Sequence, residues 1–303
     1  MSPPAVPFAA DPGRAAGSVG RGLLQLMLAI LLFTLLDALA KDLVGRYPVV
    51  MVVWARFMVQ LVLVALILRR SFGPMMRTRL PFLHAMRALT QLGAGGLFFA
   101  SLAYIGLAEA TALADLNPVL ITLGAAVFLG ERLGPHRIAA VVAAMAGAFL
   151  IIKPGSDLFT PAAFLPLLGA CCYATNALIT RRVGQTESVW TVMVLSSLIC
   201  TALVTLALPF HLAPVALADV PSFVMIGVMG TAAQVLIIRA FSGTEASVLA
   251  PFGYVGIVLA TLWGLLFFAE WPDRLTLVGA LVIILSGLYV WHRESRARRN
   301  RAG

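Results

Sequence analysis

Four ionisable residues lie inside apolar segments of the chain, where a charge is costly unless it has a partner or an aqueous cavity. They are Asp37, Lys41, Arg56 and Asp115. Asp37 and Lys41 are four residues apart, so on a helix they lie one above the other on the same face. The formal charges of the four cancel, which allows two compatible interpretations. They form either a buried ion-pair network that fixes helix register or a polar site that binds a charged small molecule.

Further polar or aromatic side chains within apolar segments extend this candidate site. They are Asn117, Tyr173, Asn176, Gln234 and Tyr254. Pro118 follows Asn117 and leaves a backbone carbonyl without its helical partner, at a point where a helix can bend towards a ligand. Arg87 lies near one end of an apolar segment. We interpret it as a residue that extends its charge to the membrane surface, and we leave it out of the site.

The segments that carry these residues are too apolar for a water-soluble protein. Of 303 residues, 61% are hydrophobic and 12% are charged, whereas about a quarter are charged in soluble domains. A bilayer core needs about 20 apolar residues per helix, and helices satisfy their own backbone polar groups in lipid. We therefore predict an all-α integral membrane protein with ten transmembrane helices. The predicted spans are 22–44, 49–69, 81–104, 108–130, 137–153, 161–181, 188–210, 220–241, 246–268 and 274–291.

The Lys and Arg residues predict the orientation of these spans. Alternate connections place sixteen of the 22 on one side and four on the other, with two inside spans. Basic residues concentrate in cytoplasmic loops, so both termini are predicted to be cytoplasmic and the protein to lie in the cytoplasmic (inner) membrane. The basic tail, residues 292–303, follows the last span directly. We therefore expect it to contact lipid headgroups rather than nucleic acid.

The N-terminal segment allows two interpretations. Residues 1–21 are rich in Pro, Ala and Gly and are predicted to be a disordered cytoplasmic leader. Arg21, the apolar run that follows it and Ala38-Leu39-Ala40 resemble a signal peptide with a cleavage site. Cleavage would remove the first span, which has a counterpart in the internal repeat described next, so we favour a retained span.

An internal repeat relates the two halves of the chain. A shift of 139 positions carries residues 119–131 onto 258–270 with six of thirteen positions identical, and it carries Asp37-Ala38-Leu39 onto Asn176-Ala177-Leu178. The shift predicts one five-helix repeat over 22–153, a linker over 154–160 and a second repeat over 161–291. Because five is odd, the second repeat enters the membrane from the opposite side, as in the inverted repeats of transporters.

The two repeats differ in their charges. The same shift places Asn176 opposite Asp37, Thr180 opposite Lys41 and Tyr254 opposite Asp115. The second repeat therefore keeps the polarity of the first and loses its charges. This asymmetry suits a site that binds a zwitterionic or ionic solute at one end and a neutral group at the other.

No pattern of residues indicates a metal site, a cofactor or catalysis. The three cysteines lie in apolar segments, and the four histidines are far apart, so neither a disulfide scaffold nor a zinc site is expected. The glycine-rich run 93–96 lies inside a span and no Gly-Lys-Ser/Thr follows it, so it is not a phosphate-binding loop. We expect no cofactor, no metal and no enzymatic activity.

The chain resembles the drug/metabolite transporter superfamily, in particular carriers with paired EamA domains. The resemblance covers residues 22–293 and rests on the ten-span repeat and on several short motifs. These are Leu-Ala-Glu-Ala at 107–110, Gly-Glu-Arg at 130–132, Pro-Phe-Gly-Tyr at 251–254 and Phe-Ala-Glu at 268–270. Asp37-Ala38-Leu39-Ala40-Lys41 and Trp54-Ala55-Arg56 further resemble the bacterial branch that contains S-adenosylmethionine and riboflavin carriers.

The expected function is secondary active transport of a small polar, zwitterionic or charged metabolite by alternating access. The expected partners are this solute and membrane lipid, with protons as a candidate coupling ion because Asp37 and Asp115 are acids at membrane depth. Pairing with Lys41 and Arg56 would argue that both acids stay ionised. A membrane-embedded enzyme and a structural or regulatory membrane protein are the alternatives. Saturable flux in proteoliposomes distinguishes transport from both.

Overall fold

The structure, a computed structural model, describes residues 12–120, 123, 135–155, 159–183, 186–244 and 246–302. These residues form helices, turns and loops, and none of them lies in a β-strand. We name ten α-helices in this part of the chain. They are α1 (Pro12–Val44), α2 (Val49–Leu68), α3 (Pro81–Leu102), α4 (Leu107–Ala114), α5 (Pro135–Ile152), α6 (Phe164–Val183), α7 (Val189–Ala207), α8 (Val220–Gly243), α9 (Val255–Phe268) and α10 (Arg274–Ala302).

Seven of these helices, α1, α2 and α6 to α10, are long and apolar enough to cross a membrane. The apolar stretch of α5, Ile138–Ile152, is shorter. The fourth predicted span and its Gly130-Glu131-Arg132 exit lie largely outside the described residues. The all-helical membrane fold is therefore established, and the count of ten spans stays a prediction.

The first helix begins earlier than the sequence predicts. We expected residues 1–21 to be a disordered leader, but α1 starts at Pro12 and runs without interruption to Val44. Proline is favoured at the first position of a helix, where its missing N–H needs no partner. The part of the leader before Pro12 lies outside the described residues.

Small residues bring the helices into close contact. A Cβ on Gly147 in α5 would lie 2.8 Å from the Gly279 carbonyl oxygen in α10, and a Cβ on Gly279 would lie 2.6 Å from the Gly147 carbonyl oxygen. In the same way, a Cβ on Gly169 in α6 would lie 3.1 Å from the Ala94 carbonyl oxygen in α3. Glycine therefore allows the backbones of both helix pairs to approach each other.

The helix pairs follow a symmetric pattern. The most extensive contacts join α1 to α8, α3 to α6 and α5 to α10. If each helix of the first five is exchanged for its counterpart in the last five (α1 for α6, α2 for α7 and so on), the α1–α8 pair becomes the α6–α3 pair. The same exchange leaves the α5–α10 pair unchanged. The contacts between α2 and α7 and between α4 and α9 are likewise carried onto themselves.

Large apolar side chains cover the outside of this bundle. Leu66, Val142 and Val258 have 63%, 62% and 63% of their surface exposed. Soluble monomers rarely expose extended apolar surface, whereas lipid tails solvate it without cost. Phe57 and Phe99, in contrast, are almost fully buried between helices, and they lie next to the polar site described below.

Candidate functional site

Two helices are broken near the predicted polar site. Helix α4 ends at Ala114, Asp115 is its C-cap, and helical residues resume only at 117–120. Helix α9 is preceded by a 3₁₀ segment, Ala250–Tyr254, with Tyr254 at the N-cap of α9. Pro118 and Pro251 account for the breaks, because proline donates no backbone hydrogen bond and its ring clashes with the preceding turn. Discontinuous helices are where transporters commonly bind their solutes.

The two breaks occupy equivalent positions of the repeat. Tyr254 follows Asp115 by the same 139 positions that relate the halves of the sequence. Helices α4 and α9 pack against each other, and Asp115 acts electrostatically on Tyr254. The structure therefore brings together two residues that the sequence paired through the repeat alone.

Arg56 lies in a pocket made by aromatic rings and glycines. Its guanidinium carbon is 5.2 Å from the ring centre of Phe99. A Cβ on Gly95 would lie 3.5 Å from Nη1, and one on Gly230 would lie 3.6 Å from Nε. The Nε atom is buried and has no hydrogen-bond partner in the part of the chain that the structure describes.

Asp37 interacts through space with Arg56 and with Asp115. Arg56 acts electrostatically on Asp37, and Asp37 acts on Asp115. Neither acid forms a salt bridge in the described ranges. The Asp115 Oδ2 atom and the Asn117 Oδ1 atom are buried and lack a hydrogen-bond partner among the described residues. An unpaired buried polar atom costs free energy, so these atoms mark a place that a ligand or water can fill.

Tyr173 of α6 is the next predicted residue near Asp115. Asp115 acts electrostatically on Tyr173, which lies deep among neighbouring groups, and yet 50% of the tyrosine surface is accessible. This combination is expected of a side chain that faces an internal cavity. We name Asp37, Arg56, Asp115, Tyr173 and Tyr254 the central group.

Lys41 does not belong to the central group, contrary to the four-residue network considered above. Its Nζ atom lies 2.8 Å from the Glu270 Oε1 atom, 2.7 Å from the Ile105 carbonyl oxygen and 3.2 Å from the Leu102 carbonyl oxygen. The Glu270 Oε2 atom in turn accepts the Leu107 N–H at 3.1 Å. Lys41 therefore joins α1 to the segment that follows α9, and the charges of the four predicted residues do not balance within one site.

A second ion pair lies at the same end of the bundle. Lys153 contacts Asp273, and its Nζ atom is 3.4 Å from the Glu109 Oε1 atom. Partial burial raises the pKa of Asp273, but hydrogen bonds from Lys153 and from the Thr276 backbone outweigh this effect and hold the pKa below its usual range. We name Lys41, Glu109, Lys153, Glu270 and Asp273 the Lys41 cluster.

A cavity of about 240 Å³ opens beside this cluster and is lined by Glu109, Glu270 and Trp271 among others. Sequence reasoning noted Glu109 and Glu270 only as residues of short motifs and overlooked Asp273. Acidic residues at the ends of predicted spans were the feature of the sequence that could have indicated this cluster.

Asn176 lies in a third group of polar residues. Its Nδ2 atom donates to the Arg87 carbonyl oxygen at 2.7 Å, and the Arg87 Nε atom donates to the Thr180 Oγ1 atom at 2.7 Å. The Arg87 Nη1 atom donates to the Gln91 Oε1 atom at 3.2 Å and to Ser196. We name Arg87, Gln91, Asn176, Thr180 and Ser196 the Arg87 cluster.

Arg87 is only 7% exposed, so its interpretation as a residue that reaches the membrane surface is wrong. The neighbouring helices α6 and α7 offer it hydroxyl groups inside the bundle, and this could not be read from α3 alone. Gln234, the remaining predicted residue, lies half-buried in α8 and makes no hydrogen bond within the described residues.

A fourth polar contact joins the region before α3 to the connection between α6 and α7. Glu187 accepts hydrogen bonds from Thr78 and from the Arg79 N–H, and its Oε2 atom lies 2.6 Å from the His84 Nε2 atom. Partial burial raises the pKa of Glu187, but these hydrogen bonds outweigh it and lower the pKa. The described residues contain no group of three or more ligands suited to a metal ion.

Comparison with known proteins identifies the family to which this architecture belongs. The EamA-like transporter family matches residues 20–153 and 160–291. A riboflavin transporter of Rhizobium johnstonii is 30% identical over 298 residues, which is 97% of each chain. The pseudopaline exporter CntI of Pseudomonas aeruginosa is 30% identical over 88% of this chain and 94% of its own. An S-adenosylmethionine uptake transporter of Rickettsia bellii is 26% identical over 73% of this chain and 76% of its own.

One solved crystal structure has the same fold, with a TM-score of 0.64 and 23% identity over 92% of this chain and 99% of that chain. The helical bundle and the two family matches define a multi-pass membrane protein of the carrier class. The chain belongs to the EamA-like transporter family, within the drug/metabolite transporter superfamily.

Proposed function

We propose that the protein is a secondary active transporter that moves a small polar, zwitterionic or charged metabolite across the cytoplasmic membrane. The central group carries this proposal. It combines charges of both signs with buried polar atoms that lack partners in the described residues, and it lies at two helix breaks inside an apolar bundle. Such an arrangement is costly for a structural element and useful for a binding site.

The transport cycle would be alternating access by two inverted five-helix repeats, 22–153 and 161–291. The symmetric packing of α1 on α8 and of α6 on α3 supports this division, as do the two family matches. In this cycle one repeat rocks against the other around the central group, so that the group faces each side of the membrane in turn.

Orientation follows from the basic residues. With both termini in the cytoplasm, the Lys41 cluster lies at the outer end of the bundle and the Arg87 cluster towards the inner end. The pairs Lys41–Glu270 and Lys153–Asp273 each join the first repeat to the second. They would close the outer end in the conformation described here and would separate when the transporter opens outwards.

The solute class follows from the charges that remain in the chamber. Arg56 offers a positive charge, whereas Asp37 and Asp115 offer negative charges, and Tyr254 faces them from the second repeat. A solute with both an anionic and a cationic group would match this set. The relatives are named for different solutes, riboflavin, pseudopaline and S-adenosylmethionine, and all three names fit transport of small metabolites.

Protons are the candidate coupling ion. Since Lys41 pairs with Glu270, Arg56 is the one cation of the four predicted residues left beside the acids, and it acts on Asp37. An acid without a full counter-charge can exchange a proton for a cationic solute group.

Flux in proteoliposomes tests the proposal. Purified protein is reconstituted and assayed with radiolabelled riboflavin, S-adenosylmethionine and amino acids. We expect saturable uptake that runs in either direction according to the gradient. Arg56→Gln and Asp37→Asn should abolish this flux while the thermal unfolding profile stays cooperative. Full flux by both folded variants would refute the role of the central group, and absence of flux for the whole panel would favour the enzyme or structural alternatives.

A further inference from the structure

Arg87 is a buried cation that the proposed transport cycle does not use. It is 7% exposed and lies within ion-pair distance of no acidic side chain among the described residues. The groups that act on it electrostatically are the Tyr173 phenol and the Cys200 thiol. Among the described residues its positive charge therefore has no counter-charge inside the bundle, which is costly.

The guanidinium of Arg87 is fixed from three helices. The Nε atom donates to Thr180 in α6, and the Nη1 atom donates to Gln91 in α3 and to Ser196 in α7. The acceptors are neutral, so they orient the guanidinium without cancelling its charge. The Nη2 atom donates to no residue in the described ranges, which leaves one edge of the guanidinium free for a further acceptor.

Arg87 also lies next to the proposed binding chamber. Tyr173, a member of the central group, precedes Asn176 by three residues and Thr180 by seven on one face of α6, and both of these residues form hydrogen bonds with Arg87. Cys200 follows Ser196 by one turn on α7 and packs in the same buried cluster as Phe57 and Phe99, the two rings beside Arg56. The chamber is thus bordered by two arginines, one on α2 and one on α3. Arg56 has Asp37 as a charged neighbour, whereas Arg87 has none among the described residues.

We propose that Arg87 is a second binding subsite of the chamber, which accepts a small oxyanion, the carboxylate or phosphate group of the transported solute. The subsite rests on the proposed function, since it assumes that the solute enters the chamber. Small anions occupy it in preference to Arg56, because Asp37 repels them from Arg56. A guanidinium edge with a free N–H matches an oxyanion well in geometry and charge.

Thermal unfolding with simple anions tests the subsite without knowledge of the solute. Purified wild-type protein in neutral detergent is titrated with sodium acetate and with inorganic phosphate, and sodium chloride of equal ionic strength is the reference. We expect acetate or phosphate to raise the unfolding temperature above the chloride value in a saturable manner. In Arg87→Gln the half-saturating concentration should rise about tenfold or more, as expected for loss of a charge-assisted hydrogen bond.

Matched variants separate binding from a structural role. Arg87→Lys should keep part of the anion effect, and Arg182→Gln, at an exposed position near the end of α6, should keep all of it. If Arg87 only connects helices, Arg87→Gln lowers the unfolding temperature equally in chloride and in acetate, and the unchanged difference would overturn the proposal. The proposal is also overturned if neither anion stabilises the wild type more than chloride does.

Lipid is the other source of an oxyanion at this depth. Nanodiscs of phosphatidylglycerol and of phosphatidylcholine distinguish the two sources. An acetate effect that disappears only in phosphatidylglycerol assigns Arg87 to a lipid headgroup and refutes a solute subsite. If the wild type shows flux in proteoliposomes but its anion effect is the same in Arg87→Gln, the subsite is refuted and the transport function stands. If Arg87→Gln removes the anion effect but no solute shows flux, the transport function is refuted and the anion site stands.

Discussion

At the scale of single residues, glycines leave room for polar side chains of the central group. Gly95 and Gly230 leave room for the Arg56 guanidinium between α3 and α8. Gly287 in α10 does the same for Tyr254, because a Cβ at this position would overlap the tyrosine hydroxyl oxygen. The side chains of the site are thus oriented by residues that have no side chain of their own.

Gly287→Ala should displace Tyr254 from the chamber wall. Overpacking of this kind costs about 1–3 kcal/mol, which exceeds the gain of up to about 1 kcal/mol from replacing glycine by alanine in a helix. We expect a lower unfolding temperature and a several-fold lower flux in proteoliposomes. Gly253→Ala is the matched control, since it neighbours Tyr254 and its Cβ would meet no atom within 4 Å. Equal behaviour of the two variants would contradict this account.

At the scale of elements, short polar contacts fix helices whose apolar faces alone would allow them to slide. Helix α3 is held at its beginning by Glu187, which accepts from Thr78 and Arg79 and contacts His84. The connection between α1 and α2 shows the same arrangement, because Arg46 and Tyr47 donate to Asp219, which precedes α8. Each contact joins a connection of one half to a connection or helix of the other.

The contact at Glu187 predicts a dependence of stability on pH. Because hydrogen bonds lower the pKa of Glu187 in the folded protein, the ionised carboxylate stabilises the fold at pH values above the ordinary Glu pKa of about 4.3. This contribution is lost as the pH falls through the lower folded-state pKa. The unfolding temperature of the wild type should exceed that of Glu187→Gln at neutral pH, and the gap should shrink on acidification from about pH 5 to pH 3.

Thermal unfolding of both proteins over this range measures the gap. Asp42→Asn serves as the control, since Asp42 pairs with Arg46 on an exposed surface and exposed pairs contribute little. A gap that stays constant down to pH 3, or one that shrinks as the pH rises, would contradict the role given to Glu187.

At the scale of the whole molecule, charges that join the two halves are concentrated at the Lys41 end. Lys41–Glu270 and Lys153–Asp273 each connect the first half to the second. Thr180, the repeat counterpart of Lys41, is a neutral residue and accepts a hydrogen bond from Arg87. Equivalent positions of the two repeats therefore use different chemistry, and in the proposed cycle the Lys41 end opens by separation of these ion pairs.

Glu270→Gln should shift the protein towards outward-open conformations, because Lys41 loses its counter-charge. Tyr254→Cys, in a background where Cys171, Cys172 and Cys200 are alanine, reports on the chamber. A membrane-impermeant maleimide added to right-side-out vesicles should label this cysteine several-fold faster in the Glu270→Gln protein. Asp42→Asn is the matched control, since the Asp42–Arg46 pair lies within the first half. If labelling is unchanged in Glu270→Gln, or if the control accelerates it equally, the Lys41–Glu270 pair does not close this end of the protein.

The sequence by itself determined the membrane class, the helices and the family. Apolar segments of about 20 residues can cross a bilayer only as helices, and a polar residue within such a segment is recognisable without coordinates. Asp37, Arg56 and Asp115 were predicted for this reason, and the repeat related Asp115 to Tyr254 before any contact was known.

Only the tertiary structure decided which polar residues share a site. Lys41 has Asp37 on its own face of α1, yet it bonds to Glu270, which is 229 positions away in the chain. Arg87 was assigned to the membrane surface, yet it lies buried among hydroxyl groups of α6 and α7. Spacing along one helix fixes the direction of a side chain relative to its own axis. The partner it meets depends on how neighbouring helices cross, and that is set by the packing of the whole bundle.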